Sequence, residues 1–472
     1  MGDEINQTEF SAEAFEEFRN RVDMETAILQ QWANEGRLHC NSPSAGCEVE
    51  AWLTDSKGEP SPSNAPFLEA LESELVVPEL AKFNVELNTD PLKIEPGFLE
   101  TMHSNLLSLW QSCEKTASSQ GNNMVMVGIL PTIKQSDLCM DNQSEMKRYK
   151  ALNEQVFRLR NGAPIHLNIK GNETIGVEHH DVMLEAAATS FQIHYKVDID
   201  QAVLAYNASR VLSAPIVAMA ANSPFLFGHD LWAETRIPLF EQSVRVGGSA
   251  YSNRVSFGLR HLSNSIMDCF EANRTRYPVL LPQLMDTPPE KLAHLRLHNG
   301  TVWRWNRPLI GFEENGNPHI RIEHRTPAAG PSMVDMVANA AFYFGALTAL
   351  LESPDEIENT ISNRVAARNF YQCAQHGLDA QVQWQNDTSC SVQSLITQRL
   401  LPLAKTGLLS IGYASADADY WLDIIKHRTE SGLNGAAWQR QWVASNGKDF
   451  ENLVLEYRDH QSQNVPVHLW NG

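Results

Sequence analysis

The chain has 472 residues, enough for one large domain or two to three ordinary ones. Its composition, 43% hydrophobic and 20% charged, is globular and excludes a disordered chain. A formal net charge of -20 with no Lys/Arg cluster argues against nucleic acid and anionic membranes as partners.

The N-terminal stretch MGDEINQTEFSAEAFEEFRN is polar and acidic and lacks the basic start and apolar core of a signal peptide. No uninterrupted apolar run is expected to span a bilayer. The seven cysteines are scattered and include no C-x-x-C, which argues against a disulfide framework and a structural zinc site. A reduced, cytoplasmic protein is expected.

Residues 12–35 read as a helix with Phe15, Phe18, Val22, Ala27 and Leu29 inward and Gly36 as its stop. GCEVEAWL (46–53) alternates, with Cys47, Val49, Ala51 and Leu53 on one face and Glu48 and Glu50 on the other. The segment 56–66 is rich in turn formers. AKFNVELNTD (81–90) alternates again and places Asn84, Glu86 and Asn88 together. NMVMVGILP (123–131) has the apolar run of a buried strand. Residues 164–181 read as a hairpin about GNET, with VEHHD (177–181) as a loop. SFQIHYKV (190–197) sets Gln192, His194 and Lys196 against an apolar face.

GTVWRWNRP (300–308) reads as a strand whose Trp303 and Trp305 share a packed face, with Arg304 and Arg307 adding positive charge. His298 reads as an internally satisfied histidine. IRIEHRTPA (320–328) sets Arg321, Glu323 and Arg325 opposite Ile320, Ile322 and His324. From 332 onward the texture is helical, and the apolar helix near 336–351 reads as core rather than interface, with oligomeric state left open. No repeat or linker divides the chain. One catalytic domain over 1–472 is expected, with a sheet-rich core over about 45–350 and helices over about 354–463 packed on it, an α+β architecture.

Any one of these strands fits an antiparallel sheet with a solvated face. Together they gather Glu48, Glu50, Glu86, His194 and Glu323 beside Arg321 and Arg325. Carboxylates this close stay ionised only beside cations. Carboxylates with an imidazole suit magnesium or manganese, which keep open positions for nucleotide phosphates. Arginine beside them suits a transferring phosphoryl group. No P-loop, Rossmann fingerprint, kinase motif set, G-x-S-x-G or H-E-x-x-H occurs, so metals and side chains would have to build the phosphate site.

Six segments, GCEVE, FNVELNT, SFQIHYKV, ANSPFLFG followed by Arg236, HNGTVWRWNRP and RIEHRTPAAGPSMVD, run in order from about 46 to 340. Together they resemble the glutamate–cysteine ligase family, and most closely its bacterial carboxylate–amine ligase branch. The resemblance implies a glutamine synthetase-like fold, a large, mainly antiparallel curved sheet lining the active site with helices outside. It also implies an ATP-dependent ligase that phosphorylates the γ-carboxylate of glutamate and gives an amide with an amine such as cysteine. By motif, Glu48, Glu50, Glu86, His194 and Glu323 would be Mg2+ or Mn2+ ligands. Arg325 would face phosphate, Arg236 would meet the substrate carboxylate, and Arg304 would contribute to the nucleotide site. The implied partners are small-molecule substrates, glutamate or a similar carboxylate and an amine, with homo-oligomer formation left open. Two other classes compete: a two-metal phosphoesterase or ATP hydrolase, and a non-catalytic nucleotide-binding family member.

Overall fold

The computed structural model describes residues 4–40, 42–246, 253–258, 260–353, 361–385 and 388–471. The first three residues of the acidic N-terminal stretch, and the start of the expected C-terminal region at 354–360, lie outside them. Helix α1 (Ala12–Asn34) is capped by the Ser11 side chain, which accepts from the Ala14 amide. It buries Phe15, Phe18, Val22, Leu29 and Trp32. Ala27 is exposed, against expectation, and Glu25 is buried instead. The Glu25 carboxylate accepts from His294 Nδ1 at 2.6 Å and the Leu295 amide at 2.8 Å, which offsets the cost of its burial.

The architecture is α+β around one eight-stranded antiparallel sheet. Its strands are β1 (Ser44–Thr54), β2 (Val76–Pro78), β3 (Asn84–Asn88), β4 (Leu92–Lys93), β5 (Asn123–Val125), β8 (Phe191–Val197), β11 (Asn306–Phe312) and β12 (Pro318–His324). The order is β11-β12-β8-β1-β3-β2, with β4 and β5 also paired to β1. Three two-stranded pieces lie outside it: β6 (Ile165–Lys170) with β7 (Thr174–His179), β9 (Phe225–Leu226) with β10 (His229–Asp230), and β13 (Gln381–Trp384) with β14 (Thr388–Ser391).

Strand parity decides what faces the core. Ala45, Cys47, Val49, Ala51 and Leu53 of β1, Val85 and Leu87 of β3, Phe191, Ile193 and Val197 of β8, and Ile320, Ile322 and His324 of β12 are all buried. Helices cover that face. Over the described residues up to Glu352 the α-helices on the two faces are α1, α2 (Asn64–Leu71), α3 (Phe98–Ser119), α4 (Lys147–Leu159), α5 (Ala202–Ala220), α6 (Arg236–Ser243), α7 (Met267–Arg276), α8 (Ala293–Gly300) and α9 (Met333–Glu352). Tyr343 of α9 stacks on His324 with centroids 4.6 Å apart, and Phe344 meets Tyr195 edge-on at 6.2 Å. Further helices follow at Asn363–His376, Leu401–Ile411, Ser415–Ser431, Gly435–Asn446 and Phe450–Ser462. These fall within the helical region expected over about 354–463.

Two helices, Ile199–Ala220 and Met333–Glu352, are long and apolar enough to cross a membrane, contrary to the sequence expectation. In each, 89% of the apolar window is buried inside the protein. A Cβ on Gly407 would lie 1.8 Å from the Gly345 carbonyl oxygen, so only paired glycines let α9 and Leu401–Ile411 approach this closely.

Other expectations shift. The 123–131 strand is ordered as strand only over Asn123–Val125. Residues 293–300 are helix α8, so the strand read at 300–308 begins at Asn306 and runs to Phe312. Glu178 and His179 end strand β7 rather than lying in a loop. His298 is buried and its Nε2 donates to the Asn273 carbonyl oxygen at 3.1 Å, while its Nδ1 has no partner among the described residues, so the expected internal satisfaction holds at one nitrogen only.

Candidate active site

The uncovered face of the sheet carries the polar half of every alternating strand. Gly46 and Glu323 both stand opposite His194, Arg307 stands opposite Glu323, Gln192 opposite Glu48, and Glu50 opposite Glu86. This register produces two groups of three. Glu48, His194 and Glu323 form one, and Glu50, Glu79 and Glu86 the other; in each, one donor atom per residue lies within 4.8 Å of the others. All five residues read from sequence as metal ligands are therefore brought together. Glu79 was missed. It follows the three-residue strand β2, and the recognisable signal is a second acid seven positions before Glu86, on the other arm of a tight hairpin.

The first group has an imidazole and two arginines at its carboxylates. His194 Nε2 lies 3.1 Å from Glu48 Oε1 and 4.0 Å from Glu323 Oε1. Arg307 clamps Glu323 with Nε and with Nη2 at 3.1 Å, and Arg325 Nη1 reaches Glu323 at 3.2 Å. Burial alone would raise both carboxyls; Arg307, Arg325 and His194 hold Glu323 down to about 2, and His194 holds Glu48 well below the usual range.

In the second group burial and like charge outweigh the nearby arginines, Arg325 beside Glu50 and Arg148 beside Glu79. Burial first, and then like charge, pushes Glu50 and Glu79 up to about 7 and Glu86 well above the carboxylate range. Glu50 accepts from the Ser190 amide at 2.6 Å and from Gln192 Nε2 at 2.8 Å. The Gln192 carbonyl in turn accepts from Arg325 Nη1. Arg325 and Gln192 thus join the two groups, and Arg325 is the positive charge standing between Glu48 and Glu50 on β1.

The donor sets suit a hard divalent cation. Three carboxylates, as in the second group, are a magnesium or manganese set. His194 Nδ1 accepts from Arg321 Nε at 3.1 Å, so the proton of the neutral ring sits on Nε2. Ligation through Nε2 requires that proton to leave and Arg321 to release Nδ1. Gly311 makes room for this arginine: a Cβ there would lie 2.3 Å from His319 Nε2 and 2.9 Å from Arg321 Nη1.

The arginines divide. Arg325 lies in the group, and its Nε is buried without a hydrogen-bond partner among the described residues. Arg236, at the start of α6, is buried with Nε on Glu234 at 3.2 Å and its Nη atoms on the Arg325 and Thr326 carbonyls. It fixes the backbone that carries Arg325. Arg304 is not brought to the acids: it packs 5.8 Å from the Tyr277 ring, beside Tyr206 and Cys269. Arg307 stands in the place expected of it, because the strand starts later than the sequence suggested. Trp303 and Trp305 also part company: Trp303 lines the cavity beside the acids, while Trp305 is buried with Nε1 on Glu241 at 2.9 Å.

Two spaces meet here. An inner cavity of about 220 Å³ holds Glu50, Glu79 and Glu86, and an outer cleft of about 1180 Å³ holds His194, Lys196 and His319. Glu48, Arg296 and Arg321 line both.

Residues 44–458, most of the chain, match glutamate–cysteine ligase family 2 (GCS2). The chain belongs to this family. Among solved structures, a glutamate–cysteine ligase from Francisella tularensis in complex with AMP superposes with a TM-score of 0.58 at 10% identity, over 92% of this chain and 90% of that one. A bifunctional glutathione synthetase from Pasteurella multocida superposes with a TM-score of 0.53 at 11% identity, over 93% of this chain and 55% of that one. At these identities the likeness is one of fold. No curated protein sequence matches the chain. The family 2 membership and the shared fold place the protein broadly among ligases of the glutamine synthetase-like type, with candidate metal-binding groups on its sheet.

Proposed function

We propose that the protein is an ATP-dependent ligase that activates the γ-carboxylate of glutamate as an acyl phosphate and transfers it to a primary amine. The observation that carries this reading is the pair of acid groups on one sheet face, joined by Arg325 and Gln192, where a broad cleft meets a small inner cavity. The cleft is large enough for a nucleotide and carries Lys196, His319 and Arg321. The inner cavity suits a small carboxylate and an amine. That the Francisella tularensis relative is an AMP complex supports a nucleotide in the cleft.

Mg2+ or Mn2+ would be held by Glu50, Glu79 and Glu86 in one group and by Glu48, His194 and Glu323 in the other. Bound there, such ions supply the positive charge that lets a triphosphate and a carboxylate approach each other. The chain's own part is positioning. Arg307 and Arg325 hold Glu323 ionised, and Arg236 fixes the backbone of Arg325. Arg325 lines the inner cavity and supplies positive charge toward a phosphoryl oxygen there. Phosphoryl transfer to a bound carboxylate needs no protein nucleophile, which agrees with the absence of such a motif.

The test is isotopic. With glutamate carrying oxygen-18 in its side-chain carboxylate, each amide formed should send one label into inorganic phosphate. Label in AMP with pyrophosphate release would replace the acyl phosphate by an adenylate. Cleavage of ATP without glutamate would make the protein a hydrolase.

A further inference from the structure

We infer that the amine acceptor is a small primary amine with an apolar body, branched aliphatic or monocyclic aromatic; this deepens the ligase reading above and rests on it. The inner cavity has two kinds of wall. The sheet supplies the charged one, with both acid groups, Arg307 and Arg325. The other comes from outside the sheet and carries Leu80, Leu152, Val182, Val244, Leu281 and Trp303. These side chains arise from six separate segments, and Trp303 closes the surface by packing on Phe240 with centroids 6.5 Å apart.

Glutamate cannot be the reactant that covers this wall. It carries three charged groups, and its γ-carboxylate has to lie by Arg325 and the acid groups. Charged groups set against apolar surface lose hydration without return. The apolar wall is therefore left to the second reactant. From outside the sheet, the charged groups Arg148, Glu185 and Arg296 also line the cavity. Glu185 belongs to neither acid group and suits an incoming ammonium. The volume bounds the size: a cavity of about 150 Å³ accepts benzene, and about 220 Å³ is available for both reactants. A single ring or a branched chain fits beside a carboxylate, and a fused bicycle does not.

The transfer balances without a further reactant. The bound ammonium gives one proton to solvent. The freed nitrogen pair forms the C–N bond as the C–O bond of the acyl phosphate breaks, and the second N–H proton leaves with the departing phosphate.

The experiment measures kcat/KM by ADP release for full-length protein with Mg2+, ATP and glutamate. The amines are methylamine, isobutylamine, benzylamine, ethanolamine and L-cysteine, with hydroxylamine as a small acceptor whose hydroxamate product is read by colour. The expected result is a rise from methylamine to isobutylamine and benzylamine, about fourfold per buried methylene, with both above ethanolamine and L-cysteine. In Trp303→Ala, and independently in Val244→Thr, the benzylamine-to-hydroxylamine ratio should fall at least about tenfold; the ratio cancels any loss of folded protein. Hydroxamate formation with L-cysteine or ethanolamine as the best amine would overturn the inference and leave the ligase reading standing. No hydroxamate from glutamate would overturn the ligase reading, and the inference with it.

Discussion

Glu86→Gln should make the metal-free protein more stable and its metal-bound form less so. The carboxyl of Glu86 is 2% exposed, stands opposite Glu50 on β1, and accepts from Asn88 Nδ2 at 3.1 Å. Donor atoms of Glu50, Glu79 and Glu86 lie within 4.8 Å of one another, where two unit charges repel by about 3 kcal/mol at an effective dielectric near 20. The realised cost is smaller, because burial and then Glu48 push Glu86 well above the carboxylate range and so favour its neutral form. A net gain of about 1–2 kcal/mol is expected, since glutamine keeps the shape and one acceptor oxygen. For a chain this long, about 2 cal/mol/K of unfolding entropy per residue makes that a rise of about 1–2 °C in Tm. The assay is differential scanning calorimetry with EDTA and with Mn2+. Wild type at a hundredfold excess of Mn2+ over Kd gains about 2.7 kcal/mol, a shift of about 3 °C, and the variant should gain much less. A lower metal-free Tm, or an undiminished Mn2+ response, would refute the reasoning.

Three further outcomes follow from the same contacts. Arg325→Ala should cut turnover by about 10²–10³ and also cost about 3–5 kcal/mol in urea denaturation, because it removes the positive charge that Glu50, Glu48 and Glu323 share and leaves Arg307 alone to clamp Glu323; turnover near wild type would remove Arg325 from the site. Arg428→Met breaks a buried pair with Asp335 at 2.7 Å and a bond to Asn339, so about 3–5 kcal/mol should be lost, and a loss below about 1 kcal/mol would contradict it. Glu241, pushed up to about 7 by burial despite hydrogen bonds from Trp305 and Tyr371, keeps its proton in the folded state while the unfolded chain loses it near 4.5. Stability should therefore fall as pH rises from about 4.5 to 7, and Glu241→Gln should flatten that fall by about 1–3 kcal/mol in urea midpoints at pH 5 and 8; parallel profiles for the two proteins would count against it.

Alternation made much of the site legible. In β1, β3, β8 and β12 one face is apolar and buried, so every polar residue of the same parity had to share the other face, and Glu48, Glu50, Glu86, His194 and Glu323 converge. Glu79 escaped because β2 is three residues long and ends in Pro78, too short for a period to show. Arg304 and Arg307 were ambiguous because HNGTVWRW is rich in strand formers, yet His298 to Gly300 close helix α8 and the strand begins only at Asn306. The side chains of the apolar cavity wall come from loops and helix ends whose meeting no local pattern encodes. Strand order was likewise hidden, since β1 pairs with β8 across a long stretch of chain.

The two acid groups differ in when a growing chain can build them. Glu50, Glu79 and Glu86 lie on β1 and the β2–β3 hairpin, so one local antiparallel unit completes that group by residue 88. Glu48, His194 and Glu323 need strands β1, β8 and β12, and the last of these ends at residue 324. At synthesis rates of about 5–20 residues per second, the second group forms at least about ten seconds after the first. A divalent cation can therefore bind the early group while most of the sheet is still unmade, holding β1 and β3 in register as a template for β8. The late group closes only when non-local pairing is complete, so it reports on a finished fold, whereas the early one can help to make it.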